Sequence, residues 1–184
     1  MTTIYLIRHA EAEGNLYRRI QGWYDALITE NGYRQIQALE ARFRDIPVDA
    51  VWSSDLTRTM TTARAIYIPK GLPLHTDPEL REMNLGDWED RTWGEIRHTA
   101  PSELARFNVT DPTWQAPHGE SFGRLGERIT GAVCRIARQY PDQTVAIFSH
   151  GMAIRSLVAT VQGVAPQDWR DVPHGDNTSV ALLT

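Results

Sequence analysis

The sequence predicts an α/β fold of three layers, with helices on both faces of a mainly parallel central sheet and a helical and loop insertion over one edge. Two observations carry that expectation. Short apolar runs alternate along the chain with segments of helical periodicity, which is the pattern of strands joined by crossover helices. The runs are also continuous rather than alternating with polar residues, as expected of strands covered on both faces. The 184 residues suit one domain over 1–184, with no repeat, low-complexity tract or linker to divide them.

Strands are expected at Thr3–Ile7, Asp49–Trp52, Thr144–Phe148 and Thr178–Leu183, with a weaker one at Leu74–Thr76. Thr29 is placed to cap a helix with Tyr33, Ile36, Leu39 and Phe43 on one face. Asp55 is placed to cap another that carries Thr59, Met60, Ala63 and Ile66. The clearest stripe comprises Phe122, Leu125, Ile129, Val133, Ile136 and Tyr140 and begins after Ser121. A last helix runs from Met152 to Val161. Residues 79–119 break the alternation, and their prolines, tryptophans and short helical pieces predict an insertion able to act as a lid.

Composition narrows the classes of function. With 41% hydrophobic and 23% charged residues the chain is ordinary for a globular protein. A net charge of −4 supplies no basic field for nucleic acid, so an anion would need a local cationic cluster. No apolar run approaches the ~18 residues that a membrane span needs. No basic region followed by a long apolar stretch opens the chain, and a cytoplasmic enzyme is expected. The single cysteine, Cys134, excludes an internal disulfide and a Cys-x-x-Cys metal knuckle. Its place on a helix predicts a buried, inert thiol.

Ligands of open α/β sheets bind beyond the carboxyl ends of the strands. Three segments put polar residues there: Arg8-His9, then Ser53-Ser54-Asp55 with Arg58 in the following helix, then Ser149-His150-Gly151. Helix amino termini offer unpaired N–H groups and arginine offers a planar fork, both suited to phosphate. Two arginines, two histidines and two helix starts therefore predict an anion pocket. A neutral imidazole can attack phosphorus and form a covalent intermediate. A second imidazole, if protonated, would stabilise the transferring group. The leaving alkoxide needs a general acid, for which Glu82 in Leu80-Arg81-Glu82-Met83-Asn84 is the candidate.

These blocks resemble the histidine phosphatase (phosphoglycerate mutase-like) superfamily along nearly the whole chain. Arg8-His9-Ala10-Glu11 is similar to its Arg-His-Gly-Glu signature, with Asn15 after it and Gln21-Gly22 and Asp25 in the next block. Ser53-Ser54-Asp55-Leu56-Thr57-Arg58, Leu80-Arg81-Glu82 with Gly86-Asp87-Trp88-Glu89, Gly119-Glu120-Ser121 and Ser149-His150-Gly151 follow in the family's order. The resemblance implies that His9 is the phosphorylated nucleophile and His150 its partner. It also implies that Arg8 and Arg58 bind phosphate, that Glu82 is the acid, and that Asn15, Gln21 and Gly151 contact substrate. No metal and no organic cofactor are expected. The partner would be a small phosphorylated metabolite, with inorganic phosphate as a product, and neither nucleic acid nor a membrane. Met83-Asn84-Leu85-Gly86-Asp87-Trp88 resembles the small broad-specificity and α-ribazole-type phosphatases rather than the mutases. Ala10 stands where the signature has glycine, and Ala12 and Gly14 where many relatives have a hydroxyl and a bulky residue.

Structural roles compete with several of these assignments. Arg58 can pair with Asp55, Glu82 with Arg81, Asn15 can cap a helix, and Gln21 can hold a turn. Glu120 and Ser121 can contact the leaving group or start a helix, and Arg124 and Arg128 read as a solvated face. Trp23, Trp88 and Trp114 read as packing residues. His75, His98, His118 and His174 read as loop or surface residues, with His118 able to reach the pocket mouth. The leading reading is a metal-independent phosphomonoesterase. The alternatives are a phosphoglycerate mutase or a catalytically silent phosphate-binding protein. A zinc hydrolase fits least, because the chain has no His-x-x-x-His pair.

Overall fold

The computed structural model describes residues 1–173 and 175–184. Five strands form one sheet: β1 (Thr3–Arg8), β2 (Ala50–Ser53), β3 (Leu74–Thr76), β4 (Thr144–Ser149) and β5 (Val180–Leu183). Their spatial order is β3-β2-β4-β1-β5. All neighbours are parallel except β5, which runs antiparallel to β1. The helices are α1 (Glu13–Leu16), α2 (Glu30–Phe43), α3 (Thr57–Lys70), α4 (Trp93–Thr99), α5 (Pro101–Asn108), α6 (Phe122–Gln139) and α7 (Gly151–Val161). The expected three-layer architecture and mainly parallel sheet are both found. No helix among the described residues is long and apolar enough to cross a membrane.

The continuous apolar runs arise because successive side chains enter different cores. Ile4 and Leu6 of β1 join Val145 and Ile147 of β4 on the face covered by α6 and α7. Ile7, Val51, Ala146 and Phe148 join the opposite face, under α2 and α3. The inner strands β1 and β4 are therefore covered on both faces. The expected insertion carries α4 and α5, which follow short 3-10 turns at Pro78–Leu80 and Gly86–Trp88. Its Leu80, Met83, Trp88, Ile96, Leu104 and Trp114 are buried in the same core as α6. Trp88 and Trp114 pack with ring centroids 5.0 Å apart, as packing residues should.

Helix faces depart from expectation at three places. Thr29 caps α2 by accepting from the Gly32 N–H, but Tyr33 is 53% exposed. The buried stripe instead runs Gly32, Ile36, Leu39 and Phe43, where a β-carbon on Gly32 would collide with the Glu11 carbonyl. Asp55 does not cap α3, whose first residue is Thr57. Its carboxylate accepts from Arg81 Nε at 2.6 Å, and the Arg81 bond holds its pKa below the ordinary value. Cys134 is exposed rather than buried, because Val133 and Ile136 take the inward positions of that turn.

Gly86 fastens the insertion. It has φ +50°, and a β-carbon there would strike the carbonyl oxygen of Pro117. Gly71, at φ +64°, has only open space around it. Gly86→Ala should therefore lower the free energy of urea unfolding by roughly 2–4 kcal/mol, against about 1 kcal/mol for Gly71→Ala, which carries the backbone penalty alone. Equal losses at the two positions would show that the Gly86–Pro117 approach contributes nothing.

Candidate active site

The register of β1 on β4 pairs Arg8 with Ser149, so the next residue of each strand is a histidine. The His9 and His150 rings lie with centroids 5.3 Å apart at the carboxyl edge of the sheet. His9 is 97% covered, and its Nδ1 lies 2.7 Å from the Ala10 carbonyl oxygen. A carbonyl only accepts, so Nδ1 carries a hydrogen, and in the neutral ring Nε2 carries the lone pair. The His9 carbonyl is held by the Asn177 amide at 2.9 Å and the Thr178 N–H at 3.3 Å. Ala10 is not among the residues with positive φ, so its methyl adds no backbone strain there. Its N–H donates to Thr62 Oγ1.

His150 is fully buried, and its Nε2 lies 2.7 Å from Ser54 Oγ. Burial, followed by the positive charge of Arg58 and the presence of His9, pushes its pKa well below the ordinary value. The neutral form of the ring is therefore favoured at neutral pH. Its Nδ1 has no hydrogen-bond partner. With the Ser54 hydroxyl donating to Nε2, Nδ1 becomes the N–H side and can donate to an anion.

Arg58 is fully buried and makes no pair with Asp55. Its Nη1 donates to the Tyr24 carbonyl at 2.8 Å and its Nη2 to that of Gly22 at 2.7 Å. Nε has no partner. Burial lowers its pKa to about 10, with Glu82, Asp25 and Glu89 acting to raise it, so the guanidinium stays charged. The loop it braces is tightly specified. Gly22 has φ +49°, and a β-carbon there would strike the Glu89 carboxylate, which also accepts from the Trp23 N–H. Arg8 donates through Nη1 to the Gly175 carbonyl, and burial lowers its pKa against the attraction of Glu82 and Asp176.

Glu82 does not pair with Arg81. Its carboxylate accepts from the Met83 N–H at 2.9 Å and from Met152 and Ala153, both at 3.1 Å, in the first turn of α7. At α3 the Asp25 carboxylate likewise accepts from the Thr57 N–H and hydroxyl. At each of these helix starts a carboxylate thus already accepts from part of the first turn, Asp25 from Thr57 and Glu82 from Met152 and Ala153.

Asn15 accepts through Oδ1 from the Ala12 N–H at 3.0 Å and from Asn177 at 3.4 Å, so it does cap α1. Gln21 lies against Gly14, where any β-carbon would displace it, and its buried Oε1 has no partner. Gly151 and Arg8 line one cavity.

Two positioning residues escape the sequence reading. Asn177, in an Asp-Asn-Thr-Ser stretch that reads as an ordinary turn, ties the approach to β5 to His9 by donating to its carbonyl. Arg128 is 93% covered rather than solvated. It pairs with Glu120 and donates to the carbonyls of Glu79 at 2.9 Å, Arg81 at 2.8 Å and Glu82 at 2.6 Å. Its spacing of three from Leu125 and four from Ala132 places it on the buried face, which the sequence could have shown. Ser121 caps α6 by accepting from the Arg124 N–H, whereas Glu120 accepts from the Asn84 N–H and from Arg128. Trp23 is more exposed than a packing residue, and its Nε1 donates to the Glu82 carbonyl at 2.8 Å beneath the Arg81 guanidinium.

The remaining histidines lie elsewhere. His75 stacks on Trp52, exposed His98 lies in α4, and exposed His118 pairs with Asp87, which raises its pKa. His174 lies outside the described residues. Among the described residues no three His, Cys, Asp or Glu side chains are gathered to hold a metal ion.

The family model of the histidine phosphatase superfamily, branch 1, matches residues 4–184, and the chain belongs to that superfamily. It is 37% identical over 166 residues to a probable phosphoglycerate mutase GpmB of Yersinia pestis (strain Pestoides F), covering 89% of this chain and 76% of that one. The solved structure of Bacillus stearothermophilus YhfR is similar, with TM-score 0.95 and 32% identity, over 99% of this chain and 90% of that one. A mycobacterial glucosyl-3-phosphoglycerate phosphatase in complex with VO3 is similar at TM-score 0.90 and 28% identity, over 99% and 90% of the two chains.

The state of His150 gives a signed pH dependence. Its folded pKa lies below the unfolded value near 6.5, so as pH falls through 6.5 the unfolded chain takes up a proton that the folded chain refuses. Stability should therefore fall by up to about 1.4 kcal/mol per pH unit below that point. Urea unfolding at pH 7.5 and 5.5 should show a smaller difference in His150→Asn than in the wild type. Identical differences would mean that His150 titrates normally.

Proposed function

We propose that the chain is a phosphomonoesterase that hydrolyses a small phosphorylated metabolite through a phosphohistidine at His9. The observation that carries this reading is the fixed orientation of His9, with its lone pair on Nε2, beside a neutral His150 and two arginines. Membership of the superfamily and the similarity to a solved phosphatase support it.

Nε2 of His9 attacks phosphorus in line with the ester oxygen. The N–P bond forms as the P–O bond breaks, and Glu82 in its acid form gives its proton to the departing oxygen. Arg8, Arg58 and the Nδ1–H of His150 bond to the three peripheral oxygens, where charge is greatest during transfer. Water then attacks the phosphohistidine and its proton passes to the Glu82 carboxylate. The N–P bond breaks and inorganic phosphate leaves. Asn15 and Gln21 offer amide groups to the same substrate, and Gly151 leaves the approach along α7 open. No step calls for a metal or an organic cofactor. A mutase reading is favoured by the similarity to the Yersinia protein. It would require a primed phosphoenzyme to pass its phosphoryl group back to phosphoglycerate faster than to water.

Hydrolysis of p-nitrophenyl phosphate in excess EDTA tests the first reading. The wild type should be active, and His9→Ala should lose about a thousandfold or more. Wild-type turnover retained by the variant would eliminate His9 as nucleophile, and activity abolished by EDTA would eliminate metal independence. Formation of isomerised phosphoglycerate after priming, with little free phosphate, would select the mutase.

Glu82→Gln separates acid catalysis from binding. Alkyl phosphates should slow by about a hundredfold, and p-nitrophenyl phosphate, whose leaving group needs little protonation, by much less. Equal losses on both would exclude Glu82 as the acid.

A further inference from the structure

Between α7 and the β1–β5 edge lies a cavity of about 280 Å³. It begins at Arg8 and Gly151, on the catalytic edge, and runs along α7 past Arg155 and Val158 to Gln162. Its surface is mostly apolar, yet two arginines and no carboxylate line it among the described residues. The sequence reading gave Arg155 no role. Its Nε is buried without a hydrogen-bond partner. Glu82 is the acidic group that attracts it, and Arg8 repels it. Arg155 is half-buried, and its unpartnered Nε leaves a donor that an anion in the cavity can fill.

We infer that this cavity receives a second anionic group of the substrate, with Arg155 as its ligand and the apolar walls covering the carbon chain between that group and the phosphate. The inference rests on the phosphatase reading and narrows its substrate class to short organic phosphates that also bear a carboxylate or a second phosphate. Arg155 stands one helical turn beyond Gly151, about 5–6 Å along the axis, which suits a chain of two or three carbons. Arginine can bond both oxygens of a carboxylate, so the site selects by charge and by shape. The nucleophile stays at His9, and nothing in the reaction sequence changes.

Two matched substrate pairs isolate the second anion. O-Phosphoserine differs from O-phosphoethanolamine by its carboxylate, and 3-phosphoglycerate stands in the same relation to glycerol 3-phosphate. The wild type should prefer the carboxylated member of a pair in kcat/KM. Arg155→Met should reduce that preference about tenfold or more, and Arg155→Lys should restore part of it. Val158→Phe, which fills the cavity without removing charge, should reduce the same preference. No preference in either pair, or a preference that survives both Arg155→Met and Val158→Phe, would overturn the subsite while leaving hydrolysis of p-nitrophenyl phosphate intact. Failure of the wild type to hydrolyse p-nitrophenyl phosphate or any of the four esters would instead bring down the phosphatase reading itself.

Discussion

The parallel register between β1 and β4 is the constraint from which the site follows. Pairing Ile7 with Phe148 and Arg8 with Ser149 leaves each strand to end on its histidine at the same level. A slip of one residue would send every side chain of β1 to the opposite core. Ile4 and Leu6 would then face α2 and α3, and Ile7 would face α6 and α7. The two hydrophobic cores therefore enforce the meeting of His9 and His150, and the precision of the site is a by-product of packing. Ser54, which follows β2 on the other side of β4, reaches His150 for the same reason.

Keeping cations in a buried cleft is the second demand on this fold. Backbone carbonyls of Tyr24 and Gly22 accept from both Nη groups of Arg58 without neutralising it. His150 contributes polarity without charge, because burial and Arg58 keep it unprotonated. The carboxylates that balance the arginines are themselves seated on helix starts, Glu82 on α7 and Asp25 on α3. Buried Arg128 then locks the backbone that carries Glu82. Arg58, Glu82, Asp25 and Arg128 thus each have partners that fix their positions, which is what preorganised electrostatics requires.

The architecture and the central pair were legible because they depend on short local signals. Continuous apolar runs located every strand to within about two residues, in keeping with the usual precision of element boundaries. The strand-exit positions of His9 and His150 followed from them. Orientation within a helix turn was less legible: Tyr33 and Cys134 lie one position from the buried stripe, and a single step round a helix is enough to reverse burial. Partner choice was least legible. Asp55 sits where a cap belongs, yet its carboxylate binds Arg81, and the cap of α3 comes from Asp25, remote in sequence. Arg128 and Asn177 act on carbonyls of residues far along the chain, and no local pattern announces such contacts. The protonation of His150 depends on burial and on Arg58, neither of which is visible in Ser-His-Gly.

The order of strands along the chain gives β1 an unusual history during synthesis. Both of its neighbours in the sheet, β4 and β5, begin at Thr144 or later. At about 5–20 residues per second, the strand that leads into His9 leaves the ribosome several seconds or more before anything exists for it to pair with. Until then its apolar stretch Ile4–Ile7 has an open edge, a template for unwanted association. The first strand thus stays open until late in synthesis, and His9 and His150 meet only when β4 and β5 close around it.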